Sequence, residues 1–314
     1  VSALKTAKTV TLASPDSSFV ALIQPAGAAL GQLSLNGEVI AGTPTGQANY
    51  GFAGAVMAPW ANRLADGRYQ FGGATFQNPI DEPAYQTALH GLVFNREFEI
   101  VQQTNNEVEF EIKLGKDSGY PFESVLRVWY ELTDFGLISG LEFTNLGNQQ
   151  IPLTTGFHPY FAFDDGDAVS IGAERVVISN SRLLPEANLK SEELVGKQNA
   201  VELDLATLNL DNCFENLIVE ENGWHYSTIL RNAKGWSVQV GQSPEFERCM
   251  VYTMHKSPIT AQPERWVAIE PQAGAANAFN SGEGLVLVEP GGQFAAEWSI
   301  SVDVFNSSME EQEL

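Results

Sequence analysis

The sequence predicts an all-β protein of stacked antiparallel sheets, and three observations lead there. Apolar residues alternate with polar ones over much of the chain, turn residues punctuate that alternation, and helical periodicity is scarce. Period two places every second side chain on one face of a sheet, so each such segment offers one face to a core.

Taken in order, Leu33-Ser34-Leu35 and Glu38-Val39-Ile40 flank Asn36-Gly37, a pair suited to the left-handed turn of a tight hairpin. Phe98 and Ile100 alternate with polar neighbours. Asn105-Asn106 then turns the chain into Val108, Phe110, Ile112 and Leu114, again at period two. Val125 to Leu132 and Leu137 to Phe143 form a pair around Asp134-Phe135-Gly136. Further strands are expected at Trp236 to Val240, Val267 to Ile269 and Leu285 to Val288. After Pro290-Gly291-Gly292 comes Phe294 to Val304, with Trp298, Ile300 and Val302 on one face. Only Ser191 to Val195 and Leu203 to Leu208 suggest a turn of helix. With no fixed repeat, linker or composition break, residues 1–314 read as a single domain, ending in an acidic tail at about 306–314.

Composition narrows the function. A chain of 314 residues that is 44% hydrophobic can bury a substantial core. Its 39 acidic and 17 basic residues give a formal charge of -22, a field that repels nucleic acid and anionic membranes. No apolar run approaches the roughly 18 residues of a membrane-spanning helix. Val1 to Val10 lacks a secretory apolar core, and Cys213 and Cys249 are the only cysteines. A disulfide scaffold is thereby excluded, and a reducing cytoplasm is the expected location.

Two segments carry the chemistry. Gly156-Phe157-His158-Pro159-Tyr160-Phe161 and Val267-Ala268-Ile269-Glu270-Pro271 each set one ionisable residue among apolar neighbours. An imidazole and a carboxylate together can add a proton to one atom of a substrate and remove one from another near neutral pH. A carboxylate close to the imidazole is expected to raise its protonated fraction. Ala88-Leu89-His90-Gly91 adds a second imidazole, and Ala61-Asn62-Arg63 a cationic fork. No nucleotide-binding, phosphate-cradling or zinc-protease motif is present. Asp164-Asp165-Gly166-Asp167 lacks the ligand spacing of a calcium loop and reads as an acidic turn. His225 and His255 read as surface or structural residues.

The chain resembles the aldose 1-epimerases, or galactose mutarotases. The matching segments are Asn62-Arg63, Gly67-Arg68-Tyr69-Gln70-Phe71-Gly72, Leu89-His90-Gly91 and Gly156 to Phe161. Asp211-Asn212-Cys213-Phe214, Val251-Tyr252-Thr253, Ile269-Glu270-Pro271 and Leu287 to Gly291 continue the series in order. The resemblance implies a β-supersandwich, an open cleft for a monosaccharide and no cofactor or metal. It makes Glu270 the general base and His158 the general acid. His90, Arg63, Asn62 and Asp211 become the residues that hold the sugar. Phe94 stands where relatives closest in style carry Arg, and Arg96 lies two residues on.

The reaction so implied exchanges the two anomers of a free hexose such as galactose or glucose. It removes the proton of the C1 hydroxyl, protonates the ring oxygen, opens the ring, rotates the C1–C2 bond and recloses it. Two other expectations remain beside it. A hexose 6-phosphate epimerase would need a cationic pocket, with Arg63, Arg68 and Arg96 as recruits. A non-catalytic carbohydrate-binding β-sandwich would tolerate loss of Glu270 or His158. The assembly is expected to be a monomer or homodimer, without nucleic acid or membrane partners.

Overall fold

Two large antiparallel sheets face each other in a computed structural model that describes residues 8–43, 50–190, 203–256 and 263–304. The first sheet has twelve strands. Its path runs from Val10–Ala13 through Phe19–Gln24, Ala29–Leu35 and Glu38–Gly42 to Tyr160–Ala162. It continues through Pro263–Ala273, Arg248–Lys256, Asp211–Leu217 and Ala173–Ser179 to Pro185–Lys190. The short strand Thr155–Phe157 pairs off this path with Pro263–Ala273 and with Val56–Met57.

The second sheet has nine strands, with Ser124–Thr133, Gly136–Asn145 and Gln293–Val304 near its middle and Glu99–Gln103 at one edge. Period-two burial is clear on Ser124–Thr133, where Leu126, Val128, Tyr130 and Leu132 are fully buried. They meet residues such as Leu12, Ala21 and Ile23 from the first sheet in one continuous apolar cluster. The Tyr130 hydroxyl, deep in that layer, donates to the Ala28 carbonyl at 2.6 Å and so carries no unmet polar atom into the core.

The expected hairpin at Asn36-Gly37 is present. Both residues have positive φ, 50° and 85°, the backbone that lets two residues reverse a twisted pair of strands. The expected strands at 108–114, 125–132, 137–143, 236–240, 267–269 and 294–304 all form, and Trp298 and Ile300 are buried. Three details depart from expectation. Ile100 lies on a wholly exposed edge strand and is itself 41% exposed. A register shift between Ile100 and Gln102 breaks that edge, which discourages pairing with another chain. Leu203 to Leu208 is not helical: Leu203–Asp204 pairs with Ala168 and Val169, and the Asp204 side chain then accepts the Ala206 N–H to form a turn. Among the described residues one short α-helix, Ala278–Ser281, is not signalled by periodicity, being one turn long. Ser191 to Val195 and the acidic tail lie outside the described residues.

The Asp164-to-Asp167 turn is an anchor for an arginine. Arg231 is buried and donates to Asp167 Oδ2 at 2.6 Å and to Asp164 Oδ2 at 2.9 Å, with its guanidinium 5.0 Å from the Trp236 ring centre. Asp165 pairs with Arg265 at 2.6 Å. His225 is buried with Nδ1 3.0 Å from the Ile218 carbonyl, and His255 Nε2 meets the Leu208 carbonyl, so both are structural. Among the described residues no helix is long and apolar enough to cross a membrane, and no group of three or more metal-ligating side chains exists.

Candidate active site

Sheet register gathers the residues. On the adjacent strands Asp211–Leu217, Arg248–Lys256 and Pro263–Ala273, Cys213 faces Met250 and Met250 faces Glu270. One pleat along, Asp211 faces Tyr252, Tyr252 faces Ala268, and Ala268 faces Tyr160. Residues two apart on a strand share a face, so Glu270 and Asp211 look into the same space. His158 joins them from the bend between Thr155–Phe157 and Tyr160–Ala162, both hydrogen-bonded to the strand that carries Glu270. Pro159 sits inside that bend, where a missing N–H and a fixed φ suit a break between two short strands.

The central contact is His158 Nε2 to Glu270 Oε1, 3.4 Å, with both side chains almost wholly buried. The other carboxylate oxygen of Glu270 accepts from Gln272 Nε2 at 2.8 Å. Burial, followed by the negative charge of Asp211, pushes the Glu270 carboxyl well above its ordinary range, against the pull of Gln272 and Arg63. Burial pushes the His158 imidazole down to about 3. The sequence suggested that a carboxylate neighbour would favour the imidazolium. The structure reverses this, because desolvating two charges costs more than one contact at this distance returns. Burial thus favours a proton on the carboxyl and a neutral His158 over the ion pair.

His90 stands beside this pair, its ring centre 5.1 Å from that of His158. It follows the strand Thr87–Leu89, which pairs with Arg63–Ala65. Two hydrogen bonds tie it to Asn62: its N–H donates to the Asn62 carbonyl at 3.0 Å, and its Nδ1 accepts the Asn62 N–H at 3.2 Å. An accepting Nδ1 fixes the neutral tautomer with hydrogen on Nε2. Burial, His158 and Arg63 together hold the His90 pKa well below normal. Both Asn62 and His90 have positive φ, 57° and 58°, a strain that persists only where the surroundings enforce it. Gly91 next to it has φ +79°, and a Cβ there would lie 2.1 Å from the Ala58 carbonyl oxygen.

Arg63 is not a free cation. Its Nε and Nη2 grip Glu82 at 2.8 and 3.0 Å, and Nη2 lies 4.0 Å from Asp211 Oδ2. The guanidinium lies 5.3 Å from the Tyr85 ring centre. Thr87 Oγ1 donates to Glu82 Oε2 at 2.6 Å, which completes the clamp. Asp211 has its pKa raised by burial and by Glu82, with Arg63 opposing. Asn62 turns its Oδ1 to the Arg63 N–H at 2.8 Å, so its carboxamide braces the Arg63 backbone. Arg96 grips Asp117 through both terminal nitrogens, at 2.9 and 2.5 Å. Arg68 is exposed.

The six residues singled out in the sequence therefore converge on one cluster. Sequence reasoning missed Phe52, Tyr160, Glu82, Tyr85 and Gln272. Phe52 edges onto His90 at 4.6 Å and Phe94 at 4.8 Å and stacks on His158 at 6.3 Å, and Tyr160 also stacks on His158 at 5.0 Å. These rings supply the burial that suppresses the imidazolium. Gln272 was within reach of sequence reasoning, since it lies two residues beyond Glu270 on one strand face. Nothing in the sequence signals Phe52, which approaches from the 3-10 turn Tyr50–Phe52, or Glu82, which approaches from a loop.

Comparison with known proteins agrees with the fold. The chain is 29% identical over 291 residues to the uncharacterized protein YihR of Escherichia coli K12, covering 90% of each. It is 30% identical over 138 residues to mouse galactose mutarotase, a match spanning 43% of this chain and 39% of that protein. A galactose mutarotase-like protein from Clostridium acetobutylicum superposes with a TM-score of 0.81 at 20% identity, over 95% of both chains, and shows the same β-supersandwich fold. The family model described as aldose 1-epimerase matches residues 8–301, and the chain belongs to that family.

Proposed function

We propose that this protein is a mutarotase that interconverts the α and β anomers of a free hexose, with Glu270 as base and His158 as acid. The observation that carries the reading is the buried 3.4 Å contact between His158 Nε2 and Glu270 Oε1, with His90, Asn62, Arg63 and Asp211 clustered beside it. Two proton-transfer groups that close suit a substrate whose two reacting oxygens, O1 and the ring oxygen, share one carbon.

In the opening direction the Glu270 carboxylate takes the O1 proton while the His158 imidazolium protonates the ring oxygen. The C1–O5 bond breaks, and C1 becomes a carbonyl carbon. Glu270 is then protonated and His158 neutral, the arrangement that burial favours in the empty cleft. Rotation about C1–C2 presents the other face of the carbonyl, and the two transfers reverse. The cycle starts once the pair's single proton has passed from Glu270 to His158; on reclosure His158 regains a proton from the ring oxygen and Glu270 returns one to O1, so no exchange with solvent is needed. Each group contributes roughly 10²- to 10⁴-fold. Neutral His90 offers its Nε2–H to a sugar oxygen. Arg63 and Asp211 take remote hydroxyls, and the fixed ring supplies part of the remaining rate by orientation.

A 6-phosphate is disfavoured, because Arg63 and Arg96 already hold Glu82 and Asp117. A binding-only role would leave the cost of burying an acid and an imidazole without purpose. The apolar cluster shared by both sheets supports reading the chain as one domain.

Polarimetry on freshly dissolved α-galactose and α-glucose, with Glu270→Gln as control, tests the proposal. Faster relaxation with the native protein and not with the variant supports it. Equal relaxation with and without native protein on both sugars overturns it.

A further inference from the structure

The space beside Arg63 and Asp211 ends against the turn 180–184 between the strands Ala173–Ser179 and Pro185–Lys190. Ser179, Leu183 and Pro185 line the space there together with Asn62, Arg63 and Asp211. Room for a water-sized molecule in that end is about 20 Å³, enough for roughly one water. The turn is tightly built: Asn180 Oδ1 accepts the N–H of Arg182 at 2.8 Å and of Leu184 at 3.3 Å, and Asn180 N–H donates to the Leu184 carbonyl at 2.9 Å. Leu183 has φ +55°, a conformation rare for a branched-chain apolar residue.

Something must hold that strained leucine in place, and Arg182 does so. Its Nε donates to the Tyr85 carbonyl at 3.0 Å, and its Nη2 donates to the Gln86 carbonyl and to Asp66 Oδ1, both at 2.8 Å. One guanidinium thus joins this turn to the loop that bears Glu82 and Tyr85, the partners of Arg63. The pair with Asp66 is exposed and contributes little. The two carbonyl bonds set the position, and a lysine cannot reproduce that fork.

We propose that the turn 180–184, latched by Arg182, is a size-selecting wall that limits this cleft to monosaccharides, with Leu183 as its specificity-determining residue. The inference rests on reading the cleft as an aldose site. With C1 at Glu270 and His158, the far side of the ring faces Arg63, Asp211 and this wall. A second ring attached at O4 runs into Leu183. A 1→4-linked reducing disaccharide is therefore rejected although its reacting end is identical.

The test is polarimetric kcat/KM on α-glucose and on α-lactose for the native protein, Arg182→Ala and Leu183→Gly. Glycine suits the positive φ, so the second variant opens the wall without unfolding the turn. The native protein is expected to favour glucose at least 100-fold. Either variant is expected to raise the lactose-to-glucose ratio at least tenfold, mainly through a lower KM for lactose, and Arg182→Lys should behave like Arg182→Ala. Comparable native rates on both sugars, or an unchanged ratio in both variants, overturn the wall and leave the mutarotase reading standing. No acceleration of any aldose, with no saturation-transfer NMR signal from glucose, overturns both.

Discussion

His158 Nε2 and Glu270 Oε1 lie 3.4 Å apart, and burial drives the two groups toward neutrality from opposite directions. Burial favours the neutral imidazole and the protonated carboxyl. Four expectations follow, from this pair and from two largely buried ion pairs, Arg63–Glu82 and Arg231–Asp167.

Replacing Glu270 by Gln keeps the shape and the bond from Gln272 but removes proton transfer. Turnover is expected to fall about 10²- to 10⁴-fold, measured by polarimetry, while the fold persists. The folded carboxyl holds a proton that the unfolded chain has lost above its ordinary value of 4.5, so Glu270 costs stability as pH rises. The variant should then melt at least about 2 °C higher at pH 8 and show no advantage below pH 4. A lower melting temperature at pH 8 would contradict the assigned direction.

The pH profile of kcat/KM should be broad. Activity requires one proton on the pair. The acid limb therefore follows protonation of a His158 held down to about 3, not an ordinary imidazole at 6.5. The alkaline limb follows loss of the proton from a Glu270 raised well above 4.5. Apparent values belong to the pair. A blank-corrected profile that already falls by half at pH 6.5 on the acid side would refute this. Stability obeys a related sign: between 6.5 and about 3 the unfolded chain binds a proton at residue 158 that the folded chain does not, so stability falls as pH falls through that window.

Glu82 neutralises Arg63 in a largely buried pair. Glu82→Ala leaves the guanidinium with only Asp211 at 4.0 Å. The variant is expected to lose on the order of 3 kcal/mol in a urea titration. It should also become more sensitive to inhibition by glucose 6-phosphate than the native protein. An unchanged inhibition constant would show that Arg63 stays screened.

Asp167 and Arg231 are both almost wholly buried and bonded at 2.6 Å. Asp167→Ala strands the guanidinium on its bond to Asp164 and its stack on Trp236. The expected loss is about 3–5 kcal/mol, seen in denaturant midpoints, with little change in the pH profile of the protein that remains folded. A cost under about 1 kcal/mol would show that Asp164 alone suffices.

Much of the fold was legible in the residues themselves. Alternation along 124–133 and 293–304 fixes which side chains enter the core, because a pleated strand has only two faces. Asn36-Gly37 fixes a hairpin, because few residues accept the turn it needs. His158, Glu270, His90, Arg63 and Asn62 were visible as polar residues in apolar or glycine-bearing segments, whereas Asp211 was marked only by the family resemblance. Tertiary structure alone decided what they are. Register across three strands, a long-range property, put Asp211 and Glu270 on one face. Loops distant in sequence brought Glu82 to Arg63, turning an apparent anion site into a neutralised clamp. Phe52 and Tyr160 closed over His158 and removed the water that would have kept it charged. A side chain's identity is written in the sequence, but its charge state depends on what displaces its solvent, and only the folded chain supplies that.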